Sequence, residues 1–240
     1  MKKSEGRAIR LLPILLFLTL AGCGIPSVSF IAEPIPLSPR GNTLGFRHDT
    51  ENDNEDFQGY ELYYKIYNAN DTSSIDGDRS FIEGADTPGT GRLTSREFLR
   101  MVRTDSGAPS GNGLDDPPML PVSSGRRDDP FEVAVDFSQA VSTVVVTNPG
   151  ESAEEVRLYR QSVLIPEQSA ESFDLFLDPA GFQYTPGESG NDADLEVMLD
   201  EAYDPINQYR TTVWAIAYGI DATDFQRIYS LPVYLGIVDL

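Results

Sequence analysis

The chain has 240 residues, with 18 Lys and Arg against 38 Asp and Glu, a formal net charge of −20, one His and one Cys. A single cysteine closes no intramolecular disulfide and builds no cysteine-based zinc or iron–sulfur site, and a single histidine excludes His-rich metal sites. The acid excess excludes nucleic acid as a partner, because phosphates are neutralised by clustered cations, while 40 % apolar residues are enough for a folded core.

Residues 1–22 read as a secretory signal. Lys2, Lys3, Arg7 and Arg10 form a basic n-region, and Leu11 to Leu20 form an apolar h-region. That apolar run is too short to span a bilayer, which takes about 20 residues. The run ends in Leu20-Ala21-Gly22-Cys23, which contains the chain's only cysteine. This tetrapeptide resembles the lipobox of bacterial lipoproteins. The resemblance implies cleavage before Cys23 and lipidation of that residue with three acyl chains, a durable anchor where a single chain would hold only marginally. Gly24 in place of an Asp after the cysteine favours the outer membrane in a cell that has one. An ordinary secretory signal with a chance cysteine is the plain alternative. Cleavage would leave 14 basic against 37 acidic residues, a net charge of −23, with Lys65 as the only lysine.

Residues 23–40 hold prolines at 26, 34, 36 and 39 and read as a semi-extended tether with a first edge strand, Ser27 to Ile31 being able to form a short strand. The remainder, 41–240, reads as one domain. Residues 43–48 look like a strand, Asp49 to Asp56 form an acidic loop, and Phe57 to Tyr67 carries the clearest period-two alternation in the chain. From 68 to 130 Gly, Pro, Ser, Asp and Asn dominate, which reads as an irregular insertion. Within it Thr94-Ser-Arg-Glu97 has the form of a capping box, and Phe98, Met101 and Val102 follow at helical spacing, so a short helix is expected over 95–103. Strand patterns resume at 131–137, 141–147, 155–164 and 172–177. A second helix is expected over 192–202, then strands over 209–218 and 228–237. Many short strands between Gly and Pro turns predict a mainly β fold of the sandwich type.

Two stretches resemble fibronectin type III domains, the immunoglobulin-like β-sandwiches. Phe57-Gln-Gly59-Tyr60-Glu-Leu62-Tyr-Tyr64 looks like that family's third strand, with Phe46 where a second-strand Trp is usual. Tyr203-Asp-Pro205-Ile-Asn-Gln-Tyr209 has the spacing of its Leu-x-Pro-x-x-x-Tyr turn, and Ser230-Leu-Pro232-Val233 opens the last strand as in the family. The resemblance covers 42–67 and 203–237. It implies that Tyr209 is the corner tyrosine and that the third, penultimate and last strands are neighbours.

Alternation then sorts the side chains onto two faces. Tyr60, Leu62, Tyr64 and Ile66, with Tyr209, Thr211, Val213, Ala215 and Ala217 and with Leu231, Val233, Leu235 and Ile237, would fill the core. The opposite face would hold Tyr63, Tyr67, Trp214, Ile216, Tyr218 and Tyr234, too apolar for bare solvent exposure. Either part of the insertion folds over this face, the helix with Phe98, Leu99, Met101 and Val102 being the candidate, or the face is an aromatic binding surface for a protein, glycan or peptide.

Motifs of catalysis are sparse. The chain has no Gly-x-Ser-x-Gly elbow, Walker loop or dinucleotide fingerprint, and His48, at a strand end beside acids, reads as an exposed or capping histidine. Calcium candidates are Asp49, Glu51 and Asp53, set against a plain solvated acidic loop, and no run fits an EF-hand. The expected protein is therefore a lipid-anchored, non-catalytic binding or structural module of the bacterial envelope, not an enzyme, with no cofactor. Its partners are the bilayer, through the acyl chains of Cys23, and a protein or glycan. The alternative class is an envelope enzyme acting on glycans through paired carboxylates.

Overall fold

The two segments with the most regular alternation become the two longest strands and pair with each other. In this computed structural model, which describes residues 30–103, 120–122, 124–137, 142–147, 154–159 and 209–239, Phe57–Asn68 and Tyr209–Ile220 run antiparallel, with Val213 opposite Tyr64 and Ala215 opposite Leu62. Numbered in chain order, the elements are β1 (Ile35–Pro36), β2 (Thr43–Arg47), β3 (Phe57–Asn68), helices α1 (Thr72–Glu83) and α2 (Gly91–Ser95), β4 (Leu99–Arg100), β5 (Val102–Arg103), β6 (Leu120–Pro121), a 3-10 turn (Ser124–Arg126), β7 (Glu132–Asp136), β8 (Ser142–Thr147), β9 (Glu154–Tyr159), β10 (Tyr209–Ile220), β11 (Arg227–Tyr229) and β12 (Val233–Asp239).

The strands form two antiparallel sheets. The first has the order β1-β2-β7-β8-β9-β5; the second has β11-β10-β3-β4, with β12 also paired to β10 and β6 to β3. The fold is thus mainly β, and β3, β10 and β12 are neighbours as the sequence implied. Leu44, Phe46, Val133 and Val135 from the first sheet meet Tyr60, Leu62, Tyr64, Ile66, Val213, Ala215 and Ala217 from the second in one buried cluster. Each buried Val, Leu, Ile or Phe among them contributes about 1.5–3 kcal/mol before ordering costs. Tyr209, the expected corner tyrosine, is buried in the same cluster. Ile31 and Ala32 are both buried, so the body engages the chain well before residue 41.

Four local expectations are corrected. No helix covers 95–103: α2 begins earlier, behind Thr90, and ends by Arg96, and Glu97 takes the left-handed region at φ 63°, so it cannot reach back as a capping residue. Leu99 and Arg100 then pair with Tyr64 and Tyr63, and Val102 and Arg103 pair with Tyr159 and Leu158. The insertion is not irregular at its start, because residues 72–83 form α1. Asp71 caps that helix by accepting a hydrogen bond from the Ser74 amide (3.1 Å), and Ile75, Asp78 and Ile82 share its buried side. The last expected strand is divided into β11 and β12. In β12 a bulge at Leu235 shifts the register between Trp214–Tyr234 and Val213–Gly236, so Val238 takes the core position expected for Ile237, which is exposed. The expected strand over 172–177, the end of that over 155–164 and the helix over 192–202 lie outside the described residues, as does Cys23. Among the described residues, no helix is long and apolar enough to cross a membrane.

Candidate functional site

The outer face of the second sheet is where the residues singled out by alternation converge. Tyr63, Trp214 and Ile216 form a second hydrophobic cluster with Ile82 of α1, Leu93 of α2 and Phe98, with Tyr229 and Tyr234 packed against it. Trp214 faces Tyr63 across the β10–β3 pair. Its ring meets Phe98 edge-on (6.3 Å, 87°) and Tyr234 at a tilt (5.1 Å, 59°). Tyr218 leans on Tyr229 (5.4 Å), with the Arg227 guanidinium 5.7 Å from the Tyr218 ring.

Of the two alternatives for this face, an aromatic binding surface or a cover folded from the insertion, the structure has the cover. Tyr63, Tyr67, Trp214, Ile216 and Tyr218 are all buried, Trp214 to 1 % exposure, and Tyr234 is half-buried beneath Arg79, whose guanidinium lies 4.4 Å from its ring centre. The insertion supplies the cover, but through α1 and α2 as well as Phe98. Met101 and Leu99 point the other way, into or against the inner core. Strand alternation at 98–101 explains this: Phe98 faces out, Leu99 in, Arg100 out to Glu61, Met101 in.

Charges thread this covered layer. Glu61, 1 % exposed, accepts from Arg100 Nη1 (2.9 Å) and from the Tyr63 hydroxyl (2.8 Å). Asp78 of α1 accepts from Lys65 Nζ (3.0 Å) and the Tyr67 hydroxyl (2.9 Å), and Arg96 lies 3.5 Å from its other oxygen. Lys65 Nζ also donates to the Arg96 carbonyl (2.8 Å). Two buried carboxylates are thus held by a phenol each, Glu61 with one cation and Asp78 with two, the arrangement that makes burial of a charge tolerable. Burial pushes the Tyr63 and Tyr67 hydroxyls well above the usual phenol value, and the charges of Glu61 and Asp78 add to it.

His48 is not exposed. It is 1 % exposed, stacked on Phe131 (4.6 Å, 9°) and placed 5.4 Å from Phe57; its Nε2 donates to the Arg127 carbonyl (2.8 Å) and its Nδ1 accepts from the Tyr60 hydroxyl (2.6 Å). The expectation failed because the segment before β7 closes over the strand end, with the His48 amide donating to the Phe131 carbonyl. In the acidic loop, Asp49 accepts from the Glu51 amide (3.0 Å), and the loop's buried residue is Asn52, which sequence reasoning passed over. Asp49, Glu51 and Asp53 do not gather around one point: among the described residues, no three His, Cys, Asp or Glu side chains come together as a metal-binding group.

Comparison with models of protein families, with curated proteins and with solved structures finds no match to this chain.

Proposed function

We propose that the chain is a lipoprotein of the bacterial envelope, anchored through Cys23, whose body is a non-catalytic binding or structural module. The observation that carries this reading is the Leu20-Ala21-Gly22-Cys23 run, with the chain's sole cysteine at the position where lipidation takes place. The fold adds support. Ile31 and Ala32 are packed into the body, so roughly seven residues join it to Cys23, a reach of no more than about 25 Å. A short link of that kind suits a domain presented close to its membrane.

The finer architecture we propose is a fibronectin type III-like, immunoglobulin-like sandwich. Its support is the strand order. In such sandwiches A, B and E share one sheet and C, F and G the other; here β1-β2-β7 are consecutive in one sheet, and β3-β10-β12 in the other. β8, β9 and β5 extend the first sheet, and the additions fall between β3 and β7 and between β7 and β10. The buried carboxylates Glu61 and Asp78 are engaged in ion pairs under a cover, an arrangement that suits a structural role.

The test is metabolic labelling with a fatty acid, followed by membrane fractionation of the wild type and of Cys23→Ser. A labelled, membrane-bound wild type and an unlabelled variant that leaves the membrane fraction are expected. An unlabelled wild type, or a Cys23→Ser chain that keeps its label, overturns the reading.

A further inference from the structure

Among the described residues, the large apolar side chains that stay most exposed are Phe30 (64 %) and Phe225 (70 %). Both stand at the end of the body where the chain arrives from Cys23. We propose that this end is a membrane-contact surface, on which Phe30 and Phe225 enter the interface of the bilayer that holds Cys23; the inference rests on the lipid anchor proposed above.

One loop places the two rings together. Asn54 Nδ2 donates to the Phe30 carbonyl (3.2 Å), and Asn52 holds Ala32 by both backbone groups, accepting from its amide (2.7 Å) and donating to its carbonyl (2.9 Å). Two residues further on, the Asp56 carbonyl accepts from the Ile220 amide (2.9 Å) and its carboxylate from the Ala222 amide (3.1 Å). Those bonds fix the start of the turn over 221–226, which carries Phe225. Between the two attachments Ile31 lies against Gly219, where a Cβ would come within 2.9 Å of Ile31 Cδ1. Gly219 is the partner of Phe57, so all of these contacts gather at the start of β3.

The turn is braced from inside. The Phe225 amide donates to the Asp221 carbonyl (2.8 Å) and the Asp221 amide to the Gln226 carbonyl (2.9 Å). The carboxylates of Asp221 and Asp224 accept from the Thr223 (2.7 Å) and Gln226 (3.0 Å) amides. Phe225 itself occupies the left-handed region at φ 59°. Gly or Asn takes that conformation with less strain, so an exposed phenyl there strains the backbone with no packing in return. An apolar phase in front of the turn supplies the missing contact. Phe81, exposed to 37 %, differs: it lies between the guanidinium groups of Arg92 (5.0 Å) and Arg96 (4.3 Å).

The link decides which end faces lipid. From Cys23 to Phe30 there are seven residue steps, a reach of at most about 25 Å. β3 has 12 residues and is about 36 Å long at ~3.3 Å per step. The link is shorter than the strand, so the Asn68 end cannot face the bilayer with the Phe57 end turned away from it. Contact at this range is intramolecular, and two rings suffice where an untethered protein would need a larger apolar area. Asp53, Glu55, Asp56, Asp221 and Asp224 lie in the same two loops, so the matching surface is zwitterionic lipid rather than anionic.

The test places the acylated full chain in phosphatidylcholine vesicles that carry a doxyl quencher near the headgroup. Trp214, the chain's only tryptophan and 1 % exposed, supplies the background in the wild type. The added indoles of Phe225→Trp and Phe30→Trp are expected to be quenched about twofold or more beyond that of Phe81→Trp on α1. Phe225→Asn keeps the left-handed turn and removes the ring. Combined with Phe30→Trp it is expected to weaken the quenching, while its stability in denaturant stays at or above that of the wild type. Flotation and fatty-acid labelling are read on the same samples. A chain that is unlabelled and fails to float overturns the anchor, and this surface with it. A labelled, floating chain in which Phe225→Trp is quenched no more than Phe81→Trp overturns the surface alone. So does a Phe225→Asn chain destabilised like a core variant, or a Phe225→Trp indole already shielded without vesicles in a sedimenting dimer, which would give this end to a second copy.

Discussion

The two faces of β3 are made by one strand yet solve opposite problems. Inward, Tyr60, Leu62, Tyr64 and Ile66 meet a second sheet, and apolar burial suffices. Outward, Glu61, Tyr63, Lys65 and Tyr67 meet two short helices, and the contact is built from aromatic edges, cation–ring contacts and two carboxylates each held by several donors. A sheet offers a partner face that matches period two, whereas α1 buries only Ile75, Asp78 and Ile82 along its length. The outer face therefore depends on a few directional contacts, and the inner on many undirected ones. Loss of one outer residue is expected to loosen the cover; loss of one inner residue, the whole fold.

Trp214→Ala puts the largest strain on that contrast. The ring is buried to 1 % and shared by β10, Phe98 and Tyr234, so truncation is expected to lower stability by about 3–5 kcal/mol, as much as an inner-core change such as Leu62→Ala at about 2–5. Chemical denaturation checks it. A cost under about 1 kcal/mol would mean that the cover adds little, and that the outer face is a core in appearance only.

Asp78→Asn comes next. It removes the negative charge facing Lys65 and Arg96 and leaves a single amide oxygen to accept from both Lys65 and the Tyr67 hydroxyl. Lys65 is nearly buried and Arg96 half-exposed, so about 2–3 kcal/mol is expected, less than for a fully enclosed pair. Exchange protection should drop first in α1 and α2. If it drops equally in β2 and β7, the two faces are one cooperative unit and the contrast fails.

Tyr63→Phe is smaller, about 1.5 kcal/mol, for one hydroxyl lost from a buried carboxylate. It also carries a pH signature. Burial, with Glu61 beside it, raises the Tyr63 phenol above its ordinary value near 10, so the unfolded chain ionises first. Stability is complete below pH 10 and declines as pH rises past it. The variant should decline less steeply in melts between pH 9 and 11; equal slopes would remove Tyr63 from the account.

Alternation made both faces legible, because Trp214, Tyr63 and Ile216 have no reason to lie opposite a core strand unless something covers them. It could not say what covers them. α1 hides in Thr72-Ser-Ser-Ile-Asp-Gly-Asp, where serines and Gly77 are poor helix formers and Asp78 occupies a buried position. The usable signal was Asp71 as a cap followed by Ile75 and Ile82 at seven-residue spacing. The burial of His48 is illegible for a related reason: a strand end next to acids looks solvated, and nothing local announces that Phe131, 83 residues on, stacks upon it. The bulge that swaps Ile237 for Val238 is likewise set by pairing with β10 rather than by β12 itself. Local patterns specify faces; partners distant in sequence decide which face is dry.

The smallest prediction separates ionic from stacking contributions at the edge of the cover. Arg79 pairs with Glu83 one helical turn away (2.8 Å), both about half-exposed, and also lies over the Tyr234 ring at 4.4 Å. The ion pair is worth about 0.3–0.5 kcal/mol and is screened by salt. The ring contact, with the apolar stem of Arg79 covering Tyr234, is worth about 0.5–1 and is less exposed to screening. Arg79→Ala should therefore cost more than Glu83→Ala, and the difference should survive 1 M salt while the Glu83 effect fades. The reverse order would mean that the helix is held at this edge by charge alone, and the outer layer would then owe its stability to ions at its rim as well as at its centre.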